Sequence, residues 1–136
     1  MNLGANFSGD RMNESVFPGM NEREMEIANL LRKLNLSKPI SRTLACLSHK
    51  DEITSREIEM KSRLRQPEVS IAMNYLRKRR GWILCEEIKK NEGKGRPVKM
   101  YRLSLPMGEI VDTLEREIIE ENEMLMENIV RLKSYS

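Results

Sequence analysis

The chain has 136 residues, of which 39% are hydrophobic and 33% are charged. An apolar fraction below the usual value of about 45–50%, with a charged fraction above the usual value of about 25%, predicts one domain with a small core. No apolar run approaches the roughly 20 residues of a membrane span, and the N-terminus lacks the basic-then-apolar pattern of a signal peptide. We therefore expect a cytoplasmic protein that has no membrane partner.

The formal charge of +3 is distributed unevenly along the sequence. Residues 55–102 contain 14 Lys and Arg against 6 Asp and Glu, whereas residues 103–136 contain 3 against 8. Residues 1–54 are balanced, with 7 of each sign. A net charge of +8 followed by a net charge of −5 predicts an anionic partner for the first block and a different role for the second.

The two cysteines, Cys46 and Cys85, lie far apart in apolar contexts. This is typical of buried structural cysteines rather than of a disulfide framework, although a redox role stays open. Cys46 and His49 are three residues apart, but two ligands do not make a metal site. With one histidine, no clustered carboxylates and no phosphate-binding loop, the sequence predicts neither an enzyme nor a cofactor nor a metal.

Residues 1–20 are rich in Asn, Gly and Ser and predict a mobile N-terminal tail. A helix is predicted over residues 22–35, within an N-terminal segment 21–36, with Asn21 as its N-cap. Its predicted inward stripe consists of Ile27, Leu30, Leu31 and Leu34. A second helix is predicted from Ser37 to about His49, with an inward stripe of Ile40, Leu44, Ala45 and Leu47.

Two short helices joined by a tight turn are predicted over residues 54–80. Thr54 and Glu57 match a capping box that starts the first helix, and Ile58, Met60 and Leu64 are predicted to pack around the turn. The second helix is predicted to have Gln66 as N-cap, Pro67 in its first turn and Gly81 after its end. Its core face is predicted to consist of Val69, Ala72, Met73 and Leu76. The opposite face mixes polar, apolar and cationic groups: Ser70, Ile71, Asn74, Tyr75, Arg77 and Lys78. Such a face suits either the DNA major groove or plain solvent.

A β-hairpin is predicted to follow at once, with strands over residues 82–88 and 98–105. Residues 52–54 are predicted as a short strand that pairs with it. The loop between the long strands contains two glycines and four cations, Lys89, Lys90, Lys94 and Arg96. A helix-turn-helix followed by such a hairpin is a winged helix, so the predicted fold is mainly α with a small β-hairpin (α+β). Arg96 within Gly-Arg-Pro suits insertion into a narrow minor groove, and the alternative is a solvated loop.

From Pro106 a single helix is predicted to run to about Lys133, which makes residues 106–136 a separate segment after a winged-helix domain over residues 37–105. About 27 residues give a length of roughly 40 Å, too long to bury on so small a core. We therefore predict that this helix pairs with its copy in a homodimer, and the alternative is a single packed or projecting helix. The candidate interface residues are Val111, Leu114, Ile118, Leu125, Ile129 and Leu132.

Residues 64–76 (LRQPEVSIAMNYL), followed by Gly81, Trp82, Ile83 and the Gly-Lys-Gly-Arg-Pro loop, resemble the winged-helix transcription regulators of the MarR, ArsR and TrmB type, particularly small archaeal members. The resemblance implies a homodimer that binds double-stranded DNA, with the second helix in the major groove. It assigns base reading to Gln66, Pro67, Ser70, Ile71 and Asn74. Contacts to the DNA backbone fall to Ser55, Arg56, Arg63 and Arg65, with Arg77 and Lys78 as further basic candidates.

The sequence departs from this family at two points. One extra residue separates Leu76 from Gly81, and Ile71 stands where a base-contacting arginine is common. Ile71 could meet a thymine methyl group or a protein partner. The resemblance also leaves a small-molecule effector open. The alternative function is a winged-helix interaction or architectural module of chromatin with only non-specific DNA affinity.

Overall fold

The computed structural model describes residues 19–49, 51–88 and 98–136. These residues include five α-helices and three short strands. The helices are α1 (Glu22–Lys33), α2 (Lys38–Leu47), α3 (Ser55–Ser62), α4 (Gln66–Asn74) and α5 (Met107–Ser134). The strands are β1 (Ile53–Thr54), β2 (Ile83–Ile88) and β3 (Val98–Leu103), and a π-helical turn, Tyr75–Arg79, directly follows α4. The predicted order of helices and strands is confirmed. The predicted tail lies outside the described residues as far as residue 18.

Side-chain caps fix where the first three helices begin. Asn21 Oδ1 accepts a hydrogen bond from Glu24 N at 2.7 Å, and Glu24 Oε1 accepts one from Asn21 N at 2.9 Å. Thr54 and Glu57 exchange the same pair of bonds at 3.0 and 2.9 Å, and Ser37 Oγ accepts from the backbone of α2 at 3.4 Å. These oxygens satisfy amide groups that a first helical turn leaves without a partner. The predicted caps at Asn21, Ser37 and Thr54 are confirmed.

The buried face of α1 differs from the predicted one. Its buried residues are Glu24, Ala28 and Leu31, whereas Leu30 is 52% and Leu34 is 38% exposed. The predicted inward stripe is therefore wrong at Leu30 and Leu34. The physical reason is that Glu24 finds hydrogen-bonding partners in Lys61 and His49, so this one carboxylate is buried while an apolar stripe stays at the surface.

The core lies where α2, α3, α4 and β3 meet. The large aliphatic side chains without exposed surface here are Leu44, Leu47, Ile53, Ile58 and Leu76. Full burial of one such side chain contributes about 1.5–3 kcal/mol. Cys46 is also buried, as predicted, whereas Cys85 is only half-buried. Leu64 packs at the turn with 5% of its surface exposed, but Met60 is 37% exposed, so its predicted packing there is wrong.

The three strands form one antiparallel sheet in the order β1-β3-β2. Tyr101 at the centre of β3 lies opposite Ile53 on one side and Cys85 on the other, so these three side chains share the core-facing side of the sheet. The predicted short strand beside the hairpin is confirmed. A helix-turn-helix of α3 and α4, followed by a β2-β3 hairpin that also pairs with β1, is a winged helix. The fold is therefore α+β.

The chain divides between Ser104 and Leu105 into two compact units, and α5 belongs to the second. Pro106 is the N-cap of α5, and its carbonyl oxygen accepts hydrogen bonds from Glu109 N and Ile110 N at 3.0 and 3.3 Å. The helix has 28 residues, close to the predicted length. None of the helices in residues 19–49, 51–88 and 98–136 combines the length and apolar character that crossing a bilayer requires.

Candidate nucleic-acid interface

The turn between α3 and α4 is fixed by hydrogen bonds to Ser62. Its hydroxyl donates to Ile58 O at 2.5 Å and accepts from Leu64 N at 3.3 Å. Its carbonyl oxygen accepts from Arg42 Nη1 of α2 at 2.8 Å. Arg63 takes the left-handed conformation, with φ of 58°, that reverses the chain after α3. The turn is thus held by the Ser62 side chain together with Arg42 from α2, and the Arg63 side chain stays exposed.

The start of α4 differs by one residue from the prediction. Arg65, not Gln66, is the N-cap, and its amide donates to Glu68 Oε1 at 2.9 Å. Pro67 occupies the second helical position, where its missing amide hydrogen does no harm. Because Glu68 caps the helix, its negative charge is held at the positive end of the helix dipole and away from the middle of the helix.

One side of α4 is buried and the other is open to solvent. Val69, Ala72 and Met73 are buried, as predicted. The exposed residues include all five that were predicted to read bases: Gln66, Pro67, Ser70, Ile71 and Asn74. At about 100° per residue these five positions fall within about 140° of the helix circumference, so they share one face. That face offers amide and hydroxyl groups for hydrogen bonds and an aliphatic side chain, Ile71, that is 69% exposed.

The predicted backbone-contact residues differ in exposure. Arg56, Arg63, Arg65 and Lys78 are exposed, whereas Ser55 is half-buried. Arg77 is also half-buried, and its charge acts on the Tyr101 hydroxyl of β3. Arg77 is therefore partly engaged inside the fold, which leaves less of its surface for a partner.

The end of α4 widens into a π-helical turn. Arg80 N donates to Tyr75 O at 3.1 Å, a bond that spans five residues instead of the four of an α-helix. Trp82 N then donates to Leu76 O at 2.9 Å, and Gly81 has a φ of +68°. The extra residue noted between Leu76 and Gly81 is thus accommodated in the helix itself, and Gly81 ends the helix as predicted.

Arg80 links the π turn to the first strand of the hairpin. Its guanidinium carbon lies 4.4 Å from the centroid of the Trp82 ring and 5.9 Å from that of Tyr75. Such cation–π contacts contribute about 0.5–2 kcal/mol each. Ser104 holds the other side of the joint, since its Oγ donates to Gly81 O at 2.6 Å and its amide donates to Trp82 O at 2.8 Å.

The wing is the β2-β3 hairpin, and the structure describes only its two strands. The four predicted wing cations, Lys89, Lys90, Lys94 and Arg96, lie outside the described residues, and so does the predicted minor-groove contact. On the strands, Lys99 and Arg102 are exposed cations that sequence reasoning did not single out. They are three positions apart on β3 and therefore lie on opposite faces of the sheet, so alternation along the strand could not have identified both. Leu84 and Ile88 are apolar but 45% and 43% exposed on the face of the sheet away from the core.

A buried carboxylate connects α1 to α3 and to the residue pair that follows α2. Glu24 Oε2 lies 2.6 Å from Lys61 Nζ of α3 and 2.8 Å from His49 Nε2, and no surface of the Glu24 side chain is exposed. Burial acts to raise the pKa of Glu24. The hydrogen bonds from Lys61, the Asn21 amide and His49, with the Lys61 charge, outweigh burial and hold the pKa below its ordinary value of 4.5. Glu24 is therefore ionised near neutral pH, and Lys61 is engaged inside the fold.

Tyr101 is the buried phenol of the sheet, with 5% of its surface exposed. Burial, and then the neighbouring Cys85 thiol, raise its pKa above the ordinary value of 10.0, although the Arg77 guanidinium acts in the opposite direction. The phenol therefore stays neutral at physiological pH. Across residues 19–49, 51–88 and 98–136, no three His, Cys, Asp or Glu side chains come together in a way that could hold a metal ion.

The candidate dimer residues lie along α5. Leu114 is 4% exposed and Ile118 is half-buried, so little of the Leu114 surface is left for a partner. The remaining four expose between 43% and 69% of their surface: Val111, Leu125, Ile129 and Leu132. Beside them lies a second exposed apolar row that was not among the predicted interface residues: Ile119, Met126 and Val130.

Comparison with known proteins adds one structural relative. No protein-family model matches the sequence, and no curated protein matches it. A solved structure of a possible transcriptional regulator from Methanosarcina mazei Go1 is similar, with a TM-score of 0.56 and 13% sequence identity. The match covers 74% of this chain and 82% of that one. At this identity the similarity shows a shared fold.

Proposed function

We propose that the protein is a sequence-specific transcriptional regulator that binds double-stranded DNA and belongs with the MarR, ArsR and TrmB type. The observation that carries the proposal is the open face of α4, where Gln66, Ser70 and Asn74 stand beside Ile71 with no other part of the described chain covering them. In a helix-turn-helix this face is the one that enters the major groove. The fold shared with a possible regulator from Methanosarcina mazei Go1 supports the same class.

Affinity and specificity are assigned to different residues. Exposed cations at the start of α3, around the turn and at the end of α4 neutralise phosphates and supply most of the affinity, among them Arg56, Arg63, Arg65 and Lys78. Side-chain amides and hydroxyls on α4 discriminate between bases through hydrogen bonds in the major groove. The wing, with its four cations, contacts the backbone or the minor groove at the flank of the site.

We propose further that two copies form a homodimer through α5. Between residues 118 and 132, the apolar side chains other than Met124 occupy an arc of about 160° at 100° per residue, which is wider than the seam of a two-stranded coiled coil. Leu125, Ile129 and Leu132 lie on one side of this arc, and Met126 and Val130 lie on the other. An arc of this width suits contact with more than one helix. The exposed apolar row of α1 around Leu30 and Leu34 is a further apolar surface available to a partner subunit, in line with the dimer role predicted for residues 21–36.

The charges along α5 favour an antiparallel pairing. Residues 109–123 contain seven acidic side chains and a single basic one, Arg116, whereas the last turn contains Arg131 and Lys133. Antiparallel helices bring the basic end of each copy beside the acidic part of the other, and parallel helices would align the acidic segments. Like charges opposed in this way are unfavourable.

Selection of bound sequences from random double-stranded DNA tests the whole proposal. We expect enrichment of a two-fold symmetric motif whose half-sites lie one helical turn apart, roughly 34–36 Å. Affinity for that motif should fall steeply with salt, with a slope of log K against log salt of about −0.9 for each phosphate contact. Failure to enrich any motif, together with equal affinity for all sequences, contradicts specific binding.

One observation favours a second function, that of a protein-interaction or architectural module. Ile71 on α4 and Leu84 and Ile88 on the hairpin are large apolar side chains that are 43–69% exposed. Exposed apolar groups of this kind suit a protein surface better than phosphates. The two functions are distinguished by Ile71→Asp. It should abolish DNA binding by repulsion if α4 enters a groove, and it should leave non-specific DNA binding through the wing largely intact if α4 faces a protein.

A further inference from the structure

The four consecutive cations after Leu76 pose a packing problem that the π turn solves. Val69, Met73 and Leu76 are buried at positions i, i+4 and i+7, the core stripe of a helix. In an uninterrupted α-helix, residue 80 at i+11 would continue the same stripe, since 3.6 residues complete a turn. That would direct the Arg80 guanidinium into the apolar core, where an unpaired charge is strongly unfavourable.

The π turn rotates the later residues away from those α-helical positions. Its five-residue hydrogen bond, from Arg80 N to Tyr75 O at 3.1 Å, takes one more residue into the turn than an α-helix does. Residues beyond it are therefore offset by about one residue, or about 100°, around the helix. The exposures agree with this offset, because Lys78 and Arg79 are exposed and Arg80 lies half-buried beside the Trp82 ring at 4.4 Å.

We propose that the π turn serves to present Arg79 next to Lys78 as an additional phosphate-binding cation at the end of α4, while Arg80 is a positioning residue that holds the turn through the Trp82 and Tyr75 rings. Without the extra residue, the cation that follows Lys78 would occupy the half-buried position beside the Trp82 ring that Arg80 now holds. The insertion thus adds one exposed cation to the basic end of α4 and places no charge in the core.

The proposed roles differ because the two arginines differ in surroundings. Arg79 has an exposed side chain, which suits a contact with a strongly hydrated phosphate oxygen. Arg80 lies over two aromatic rings of its own fold, which fixes its guanidinium and connects α4 to β2. This inference rests on the proposed DNA-binding function, and the salt dependence of binding separates the two arginines.

The experiment compares full-length variants by their affinity for double-stranded DNA over a range of salt. Arg79→Gln and deletion of Arg79 should each make the slope of log K against log salt shallower by about 0.9, the loss of one phosphate contact. Arg80→Met, which keeps a long side chain between the rings, should leave that slope unchanged. Lys33→Gln, an exposed lysine on α1, is the control for loss of one positive charge elsewhere.

Trp82 gives an independent measure of the positioning role, because it is the single tryptophan of the chain. Arg80→Met should change the Trp82 fluorescence spectrum and lower the Tm, whereas Arg79→Gln should change neither.

An unchanged salt slope in Arg79→Gln overturns the inference, as does an equal loss of slope in Arg80→Met. If the wild-type chain binds no DNA at any salt concentration, the proposed function itself is overturned. The two failures are therefore distinguishable.

Discussion

At the level of single residues, Glu24 shows most clearly where a sequence pattern is insufficient. Apolar spacing in α1 predicted that Leu30 and Leu34 face inward, yet a carboxylate with no exposed surface occupies the buried side. Its partners, His49 and Lys61, are 25 and 37 residues away in the chain. The apolar periodicity of one helix holds no information about partners so distant in the sequence. The N-cap role of Asn21 was predicted, whereas the hydrogen bond from Asn21 N to Glu24 Oε1 was not, although the two residues have the spacing of a capping box.

Glu24→Gln should destabilise the protein by about 2 kcal/mol near neutral pH, because Lys61 and His49 lose their charged acceptor. The folded-state pKa of Glu24 is depressed, so this stabilisation is present above its ordinary pKa of 4.5 and is lost as the pH falls through the folded value. Chemical denaturation at decreasing pH measures both effects. Glu26→Gln, an exposed carboxylate on the same helix, is the control and should change stability little. A constant difference between Glu24→Gln and wild type down to the acid limit contradicts this account.

Ile71 is the residue at which the proposed base contacts can be tested most directly. If its side chain meets a thymine methyl group, Ile71→Ala should weaken binding to the selected site about fivefold, corresponding to about 1 kcal/mol for the lost apolar contact. Replacing the contacted thymine by uracil should weaken wild-type binding equally. The two changes together should then be no worse than either alone. Additive losses would show that Ile71 and the methyl group do not touch.

At the level of secondary-structure elements, the joint between α4 and β2 combines what the sequence predicted with what it did not. The helix, its buried face and the terminal Gly81 were predicted from spacing and residue type. The π turn was not, because apolar periodicity ends at Leu76 and the next four residues are all cationic. A signal was present in the extra residue before Gly81 and in the position of Arg80 on the core stripe. The π turn follows from these signals only when Leu76 is known to lie in the core and Gly81 is known to end the helix.

Gly81→Ala should destabilise the fold by about 1–2 kcal/mol, because a φ of +68° is unfavourable for a residue with a β-carbon. A β-carbon there would meet no atom within 4 Å, so the backbone conformation alone accounts for the loss. Gly108→Ala is the matched control in the first turn of α5, where added volume also meets nothing. It should leave stability unchanged or raise it slightly. Thermal unfolding distinguishes the two variants, because only Gly81→Ala should lower the Tm.

At the level of the whole molecule, assembly is the property on which the proposed function depends most. A 28-residue helix with exposed apolar side chains along most of its length is unusual for a chain that acts alone. The length and start of α5 followed directly from the sequence. The sequence did not show which apolar residues of α5 are exposed to a partner. Val111 and Leu114 belong to the same apolar pattern, yet they are 44% and 4% exposed.

Ile129→Lys should convert the proposed dimer into a monomer, because it places a charge within the exposed apolar arc of α5. The mass in solution, measured by sedimentation equilibrium, should fall by half, and affinity for a two-fold DNA site should fall with it. Glu127→Lys introduces the same side chain outside the arc and should leave the mass unchanged. A wild-type protein that sediments as a monomer at all concentrations contradicts the dimer itself.

The two-residue strand β1 affects when the chain can finish folding during synthesis. Ile53 pairs with Tyr101, 48 positions later, although both α3 and α4 lie between them in the chain. Closing a loop of this length carries an entropic penalty that only the finished sheet offsets. On the ribosome, α3 and α4 emerge well before their strand partner. A fragment that stops short of Val98 would therefore leave Ile53 without its neighbour and present an unpaired strand edge to chaperones or proteases.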